Sequence, residues 1–173
     1  MPMGPLRLID EIGVDVTVDI AVTLEKAYGG RDRAPDILRK MREAKLLGRK
    51  SGAGFYKYEG REQSPNESLA QWRKGNAPQG DVDLANRLMF LMVNEAARCI
   101  EEKVVESPED ADYGMILGTG FAPHRGGPLR FAEGFGLKKI SEEMSALAKT
   151  DAKFEPCEIL KKHARDGTKF YES

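Results

Sequence analysis

Histidine and cysteine are scarce in this chain, with two of each among 173 residues. Cys99 and Cys157 stand far apart without metal-ligand spacing, so they read as reduced packing residues rather than a disulfide. His124 and His163 alone cannot build a multi-histidine metal site, and no metal ligands are assigned. Charge excess of one sign is missing too. Lys plus Arg (27) nearly balances Asp plus Glu (28), which gives no reason to expect nucleic acid or an anionic membrane as partner. No run approaches the roughly 20 apolar residues that span a bilayer, and the N-terminus lacks the basic and apolar regions of a signal peptide. A transmembrane segment is therefore not expected, and the cytoplasm is the default location. The apolar (40%) and charged (32%) fractions describe a globular chain, long enough for one domain or for two small ones packed together.

Two similar stretches organise the sequence. Gly126-Gly127-Pro128-Leu129-Arg130-Phe131-Ala132-Glu133-Gly134-Phe135-Gly136 is echoed by Met3-Gly4-Pro5-Leu6-Arg7-Leu8-Ile9-Asp10-Glu11-Ile12-Gly13. Both open an apolar segment with Gly-Pro, place an acid five positions after the proline and a glycine three positions later. Proline suits the first turn of a helix, where its missing N–H costs nothing, so each copy predicts a helix start. Pro35-Asp36-Ile37-Leu38-Arg39-Lys40 resembles Pro156-Cys157-Glu158-Ile159-Leu160-Lys161-Lys162 with one residue inserted, and Phe55-Tyr56 resembles Phe170-Tyr171. Three matches in one order indicate a duplicated, domain-sized design, far longer in period than the roughly 20–50 residues of solenoid units.

From Pro5 the apolar residues recur at helical intervals until Gly29-Gly30, with Gly13 as a point where the run can divide into two helices. A second helix is expected from Pro35 to near Gly48, including Leu46 and Leu47. Gly48 to Gly54 then form a glycine-rich turn leading into an extended aromatic segment at Phe55–Tyr58. The polar stretch from Glu59 to Gly80 reads as a linker, within which Ser64-Pro65-Asn66-Glu67 has capping-box form and predicts a short helix reaching Trp72. Asp81 to Lys103 carries the strongest helical pattern, with an apolar stripe broad enough for burial on more than one side. Ser107-Pro108 starts a short helix ending near Gly118. A loop follows to Gly127, then the second copy to about Leu147, and a last helix from Pro156 to about Arg165. The division is a first repeat at 1–60, a linker at 61–80 and a second repeat at 81–173.

Neither glycine cluster, Gly118-Thr119-Gly120 or Gly48 to Gly54, completes a dinucleotide-binding pattern behind a strand, and no phosphate-loop motif is present. Lys50, beside Arg49, is placed to meet an anionic group such as a CoA phosphate, although a solvated loop explains it more simply. His124 occupies a loop from which a general base can be presented, but nothing is spaced to form a relay with it. His163, beside Lys161 and Lys162, reads as a surface residue. Asn86 and Asn94, eight apart on the long helix, share a face, which fits either a polar pocket or solvent.

Asn86-Arg87, Asn94-Glu95-Ala96, Asp110-Ala111-Asp112, Gly118, Gly120, Pro123, Gly127-Pro128-Leu129 and Gly136 together resemble the C-terminal, all-helical domain of the 3-hydroxyacyl-CoA dehydrogenases. Met3-Gly4-Pro5 through Gly13-Val14-Asp15, with Lys50-Ser51-Gly52-Ala53-Gly54-Phe55-Tyr56, resembles it more closely still, and the tandem is similar to the end of multifunctional fatty-acid oxidation α subunits. The resemblance implies an all-α fold of two such repeats packed as a pseudo-dimer, the first without its opening helix. In that family an upstream Rossmann domain holds NAD and most of the catalytic groups, and an Asn on the first repeat's opening helix assists the acyl-CoA substrate. Asn86 matches that Asn by motif position but belongs to the second repeat.

The expectation is a C-terminal portion of a fatty-acid β-oxidation dehydrogenase that shapes the acyl-CoA cleft, without catalytic residues or an NAD site of its own. Asn86 is the weak candidate for chemistry and Lys50 for substrate binding. The alternative is a free-standing helical module that assembles with itself as a homo-oligomer or with a separate dehydrogenase chain.

Overall fold

The computed structural model describes residues 3–29, 33–73 and 81–171. It divides into two compact units, Pro2–Ala77 and Pro78–Ser173. Helices dominate both, and the described strands form one small hairpin.

In the first unit, α1 (Pro5–Ile12) and α2 (Val14–Tyr28) meet at Gly13, whose φ of 109° permits a sharp elbow. Gly13 closes α1 by donating its N–H to Ile9 O and opens α2 by accepting from Thr17 N. A side chain would disfavour that backbone conformation, so the glycine divides the helical run in two. After α3 (Asp36–Glu43) comes a 3₁₀ turn at Arg49–Ser51, followed by antiparallel strands β1 (Tyr56–Glu59) and β2 (Glu62–Pro65) and a 3₁₀ segment at Glu67–Trp72. Val14, Val18, Leu38 and Met41 form the core, with Phe55, Leu69 and Trp72 packed against it.

The second unit starts with α4 (Asp81–Glu101), then α5 (Pro108–Thr119), α6 (Pro128–Phe135), α7 (Leu137–Ala148) and α8 (Glu158–Asp166). Ser107 caps α5, its Oγ accepting from Asp110 N. Gly136, with φ of 105°, makes the same kind of elbow between α6 and α7 as Gly13 makes between α1 and α2. Helix α4 crosses α5, α6 and α8, which explains its broad apolar stripe. Phe90, Val93, Ala97, Leu129, Ile140, Met144 and Leu160 fill the core. Full burial of side chains of this kind contributes about 1.5–3 kcal/mol each. Phe90 also meets Phe135 edge-to-face at 5.5 Å.

Three expectations need correction. Leu46 and Leu47 are not helical: α3 ends at Glu43, and Lys45 takes a left-handed conformation at φ 60°. Leu46 N donates to Met41 O and Lys45 N to Arg42 O, the paired bonds of a Schellman closure with lysine where glycine is usual. Lys103, at φ 57°, closes α4 in the same way. The stretch Glu62–Trp72 is not bare linker, because it contributes β2 and sets Leu69 and Trp72 on the first core; residues 74–80 lie outside those described. The short helix there is 3₁₀, and Asn66 rather than Ser64 caps it, accepting from Ser68 N.

Candidate functional site

Each unit is organised around buried carboxylates. Asp10, 1% exposed, lies on α1 beside Ile9, which packs on the first core. Its Oδ1 accepts from Phe55 N, and its Oδ2 from Tyr56 N and the Tyr58 hydroxyl, each at 2.9 Å. A buried carboxylate with these donors is satisfied and fixes the chain that supplies them. A Cβ on Gly48 would come within 2.3 Å of Asp10 O, and one on Gly54 within 2.1 Å of Asp10 Oδ1. The glycine-rich turn is therefore occupied in packing against this aspartate. Burial raises the Tyr58 phenol to about 12, helped by the bond to Asp10.

In the second unit two acids divide that work. Asp112 on α5 accepts from Leu129 N and Arg130 N at 2.8 and 2.9 Å, capping α6 where the helix dipole favours an anion. It also accepts the Tyr171 hydroxyl. Glu133, five residues after Pro128, accepts from Tyr171 N at 2.9 Å. Tyr56 N bonds in the same way to Asp10, five residues after Pro5. The Arg130 guanidinium lies 3.4 Å from the Tyr171 ring centroid, and burial followed by the Asp112 bond pushes that phenol well above its ordinary range.

Lys50 sits on the 3₁₀ turn, where its Nζ donates to Asp15 on α2, while neighbouring Arg49 donates to Glu11 on α1. The two cations thus staple the Gly13 elbow from both sides. The Lys50 bond holds the Asp15 carboxyl below its usual value.

Asn86 is half-buried on α4 in the second unit, whereas Lys50 belongs to the first. Asn94 is buried and structural. Its Nδ2 donates to Glu155 O and its Oδ1 accepts from Cys157 N, fixing the approach to α8. His124 is exposed on the 3₁₀ turn Pro123–Arg125. His163 is not simply at the surface: its ring lies tilted against Phe170 at 4.5 Å and Nδ1 bonds Thr168 Oγ1, and burial lowers its pKa. Cys99 and Cys157 form no disulfide, and burial pushes the Cys157 thiol up to about 11.

Among the described residues, neither glycine cluster is built as a phosphate cradle. Gly120 ends α5 as a left-handed cap, Gly126 ends a 3₁₀ turn, and the Gly48–Gly54 turn precedes its strand and folds onto Asp10. A pyrophosphate cradle requires a strand running into a glycine loop and then a helix N-terminus. Among the described residues there is no metal-binding group of three or more His, Cys, Asp or Glu, and no helix is long and apolar enough to cross a membrane.

The model of the 3-hydroxyacyl-CoA dehydrogenase C-terminal domain matches residues 1–58 and 84–171, and the chain belongs to that family. Curated relatives include the fatty acid oxidation complex subunit alpha of Vibrio vulnificus, 38% identical over 175 residues, and that of Shewanella loihica, 39% identical over 177. Each match covers 99% of this chain but 25% of the relative, so the chain spans about a quarter of their length. Among solved structures, the dehydrogenase part of multifunctional enzyme 1 from C. elegans is 30% identical, with a TM-score of 0.66, over 93% of this chain and 38% of that one. The 3-hydroxybutyryl-CoA dehydrogenase of Escherichia coli shares the fold, with a TM-score of 0.74 at 19% identity, over 95% of this chain and 51% of that one.

Proposed function

We propose that this chain serves as the C-terminal helical portion of an NAD-dependent 3-hydroxyacyl-CoA dehydrogenase in fatty-acid β-oxidation. It shapes one wall of the acyl-CoA cleft, while a Rossmann domain outside these residues holds the NAD. The observation that carries this reading is the paired carboxylate clamp. Asp10 with Tyr56 and Glu133 with Tyr171 brace two copies of one helical design, and the family model matches both stretches. Buried, fully bonded acids suit a scaffold. Hydride transfer in this reading depends on a cofactor oriented by the Rossmann domain.

The proposal includes a first repeat without its opening helix, a second repeat standing where a dimer partner would, and a cytoplasmic place of action. Asn86 is its only candidate for contact with the reaction and Lys50 its only candidate for the CoA phosphates. A dehydrogenase partner, rather than a homo-oligomer, is the proposed assembly.

The test is complementation. The Vibrio vulnificus relative, shortened by the quarter that this chain matches, is assayed for 3-hydroxyacyl-CoA-dependent NADH formation alone, with this chain added, and fused to it. Activity is expected only with this chain present. NADH formation by this chain alone, or a fusion as inactive as the shortened relative, would overturn the reading.

A further inference from the structure

Between α4 and α5 the second unit holds an apolar groove of about 470 Å³, within the range of small-molecule pockets, about 300–1,000 Å³. Leu91, Met92, Val105 and Met115 form its walls, and Gly114 with the buried Ala96 and Ala111 its floor. Gly114 sits in the middle of α5 on ordinary helical backbone, and a Cβ there would meet nothing within 4 Å. Glycine weakens a helix interior, and neither its own backbone nor a described neighbour calls for it here. What its missing side chain provides is depth.

The lining selects the occupant. Among the described residues it holds no aromatic ring, only aliphatic and sulfur-bearing side chains, and methionine adapts its shape to a flexible guest. An alkyl chain fits such walls better than a planar ring. The charges at the rim are of one sign. Glu95 and Asp110 line the groove, and no basic side chain does so among the described residues. Arg98 lies 3.5 Å from Glu95, but its guanidinium is also drawn to Glu155 O. The link from residue 101 to 110 adds Glu101, Glu102, Glu106 and Glu109 against Lys103. Carboxylates in this excess attract a cation and repel a phosphate or a fatty carboxylate. We propose that this groove binds a single-chain aliphatic amphiphile with an ammonium head, its tail between Met92 and Met115 and its head at Glu95 and Asp110.

The rim charges disfavour the phosphates of acyl-CoA, so the ligand is of a different class from the substrate proposed above. The probes are decyltrimethylammonium, decyl sulfate and tetramethylammonium. Each is titrated into the full chain by calorimetry below its micelle concentration, with circular dichroism confirming the fold. Saturable binding of decyltrimethylammonium is expected, about tenfold or more tighter than that of decyl sulfate, a difference of about 1.4 kcal/mol or more. The head alone should not bind. Cys99 also lines the groove, so decyltrimethylammonium should slow its alkylation by iodoacetamide, followed residue by residue with mass spectrometry.

Gly114→Leu fills the groove from its floor with a residue that a helix prefers. Its thermal midpoint should equal or exceed that of the unsubstituted chain, while binding weakens about tenfold or more. Glu95→Gln should narrow the preference between the two heads. Absence of saturable binding, equal affinity for both heads, Cys99 alkylation unchanged at saturating probe, or undiminished binding by the folded Gly114→Leu variant would overturn the proposal. So would loss of binding when this chain is fused to the shortened Vibrio vulnificus relative, because a segment of that relative would then be the occupant of the groove.

Discussion

Tyr171 donates its hydroxyl to Asp112, 59 residues earlier in the chain, and so ties the last described residue to the acid that caps α6. The phenol meets a carboxylate that is 3% exposed, where a hydrogen bond to a charged group contributes about 1.5–3 kcal/mol. Tyr171→Phe should lower the stability of the chain by about that amount, seen as a lower urea midpoint with an unchanged slope. Tyr113→Phe, at an exposed position on the same helix as Asp112, should leave the midpoint where it was.

Alkaline pH should unfold the protein through its buried weak acids. Cys157 is raised from 9.0 to about 11 and Tyr58 from 10.0 to about 12. In each case the folded state holds its proton at a pH where the unfolded chain has released it. The stabilisation is complete below pH 9, then declines as pH rises through the window from 9 to about 12. Urea midpoints measured across this range should fall, and Tyr58→Phe should flatten the upper part of the decline.

Gly48→Ala is expected to be severe. Its backbone is left-handed, at φ 94°, and the added methyl would overlap the main chain of Asp10. Strain of this kind costs about 1–3 kcal/mol even before steric overlap is counted. Thermal melts followed by circular dichroism should show a lower midpoint. Amide exchange should locate the loss in residues 3–73 rather than in α4–α8.

The lysines at helix ends predict the opposite sign. Lys45 and Lys103 occupy left-handed positions that cost a residue with a Cβ about 1–2 kcal/mol. Lys103→Gly should therefore stabilise the second unit by about 0.5–1 kcal/mol after the extra chain entropy of glycine is subtracted. A raised thermal midpoint is the expected result.

Much of the helical frame was legible because its punctuation is local. Gly-Pro and Ser-Pro pairs mark the starts of α1, α5 and α6, and Gly13, Gly29 and Gly136 mark elbows or stops by their backbone freedom. Helix ends made by Lys45 and Lys103 were not legible, since a left-handed lysine is set by packing rather than propensity. Strand β2, Glu62-Gln63-Ser64-Pro65, is exposed throughout and shows no apolar alternation. Its pairing with β1 is visible only in three dimensions.

The clamps follow the same logic. An acid five residues after each proline is a visible regularity, but its partners lie 38 to 48 residues away in sequence. Asp112 was visible only within the Asp110-Ala111-Asp112 match, with nothing to indicate its partners, and the spacing of Asn94 fitted a polar pocket or solvent rather than the backbone bonds to Glu155 and Cys157 that it makes. The recurrence of Phe-Tyr behind each copy was the one clue to where those acids point.

The glycine elbow at Gly13 carries a practical corollary. Arg49 and Lys50 grip opposite sides of that bend through Glu11 and Asp15, at positions open to water. Concentrated salt should slacken this grip while leaving the oily interior intact, so the hinge between the first two helices ought to be the part of the molecule most sensitive to the buffer in which it is handled.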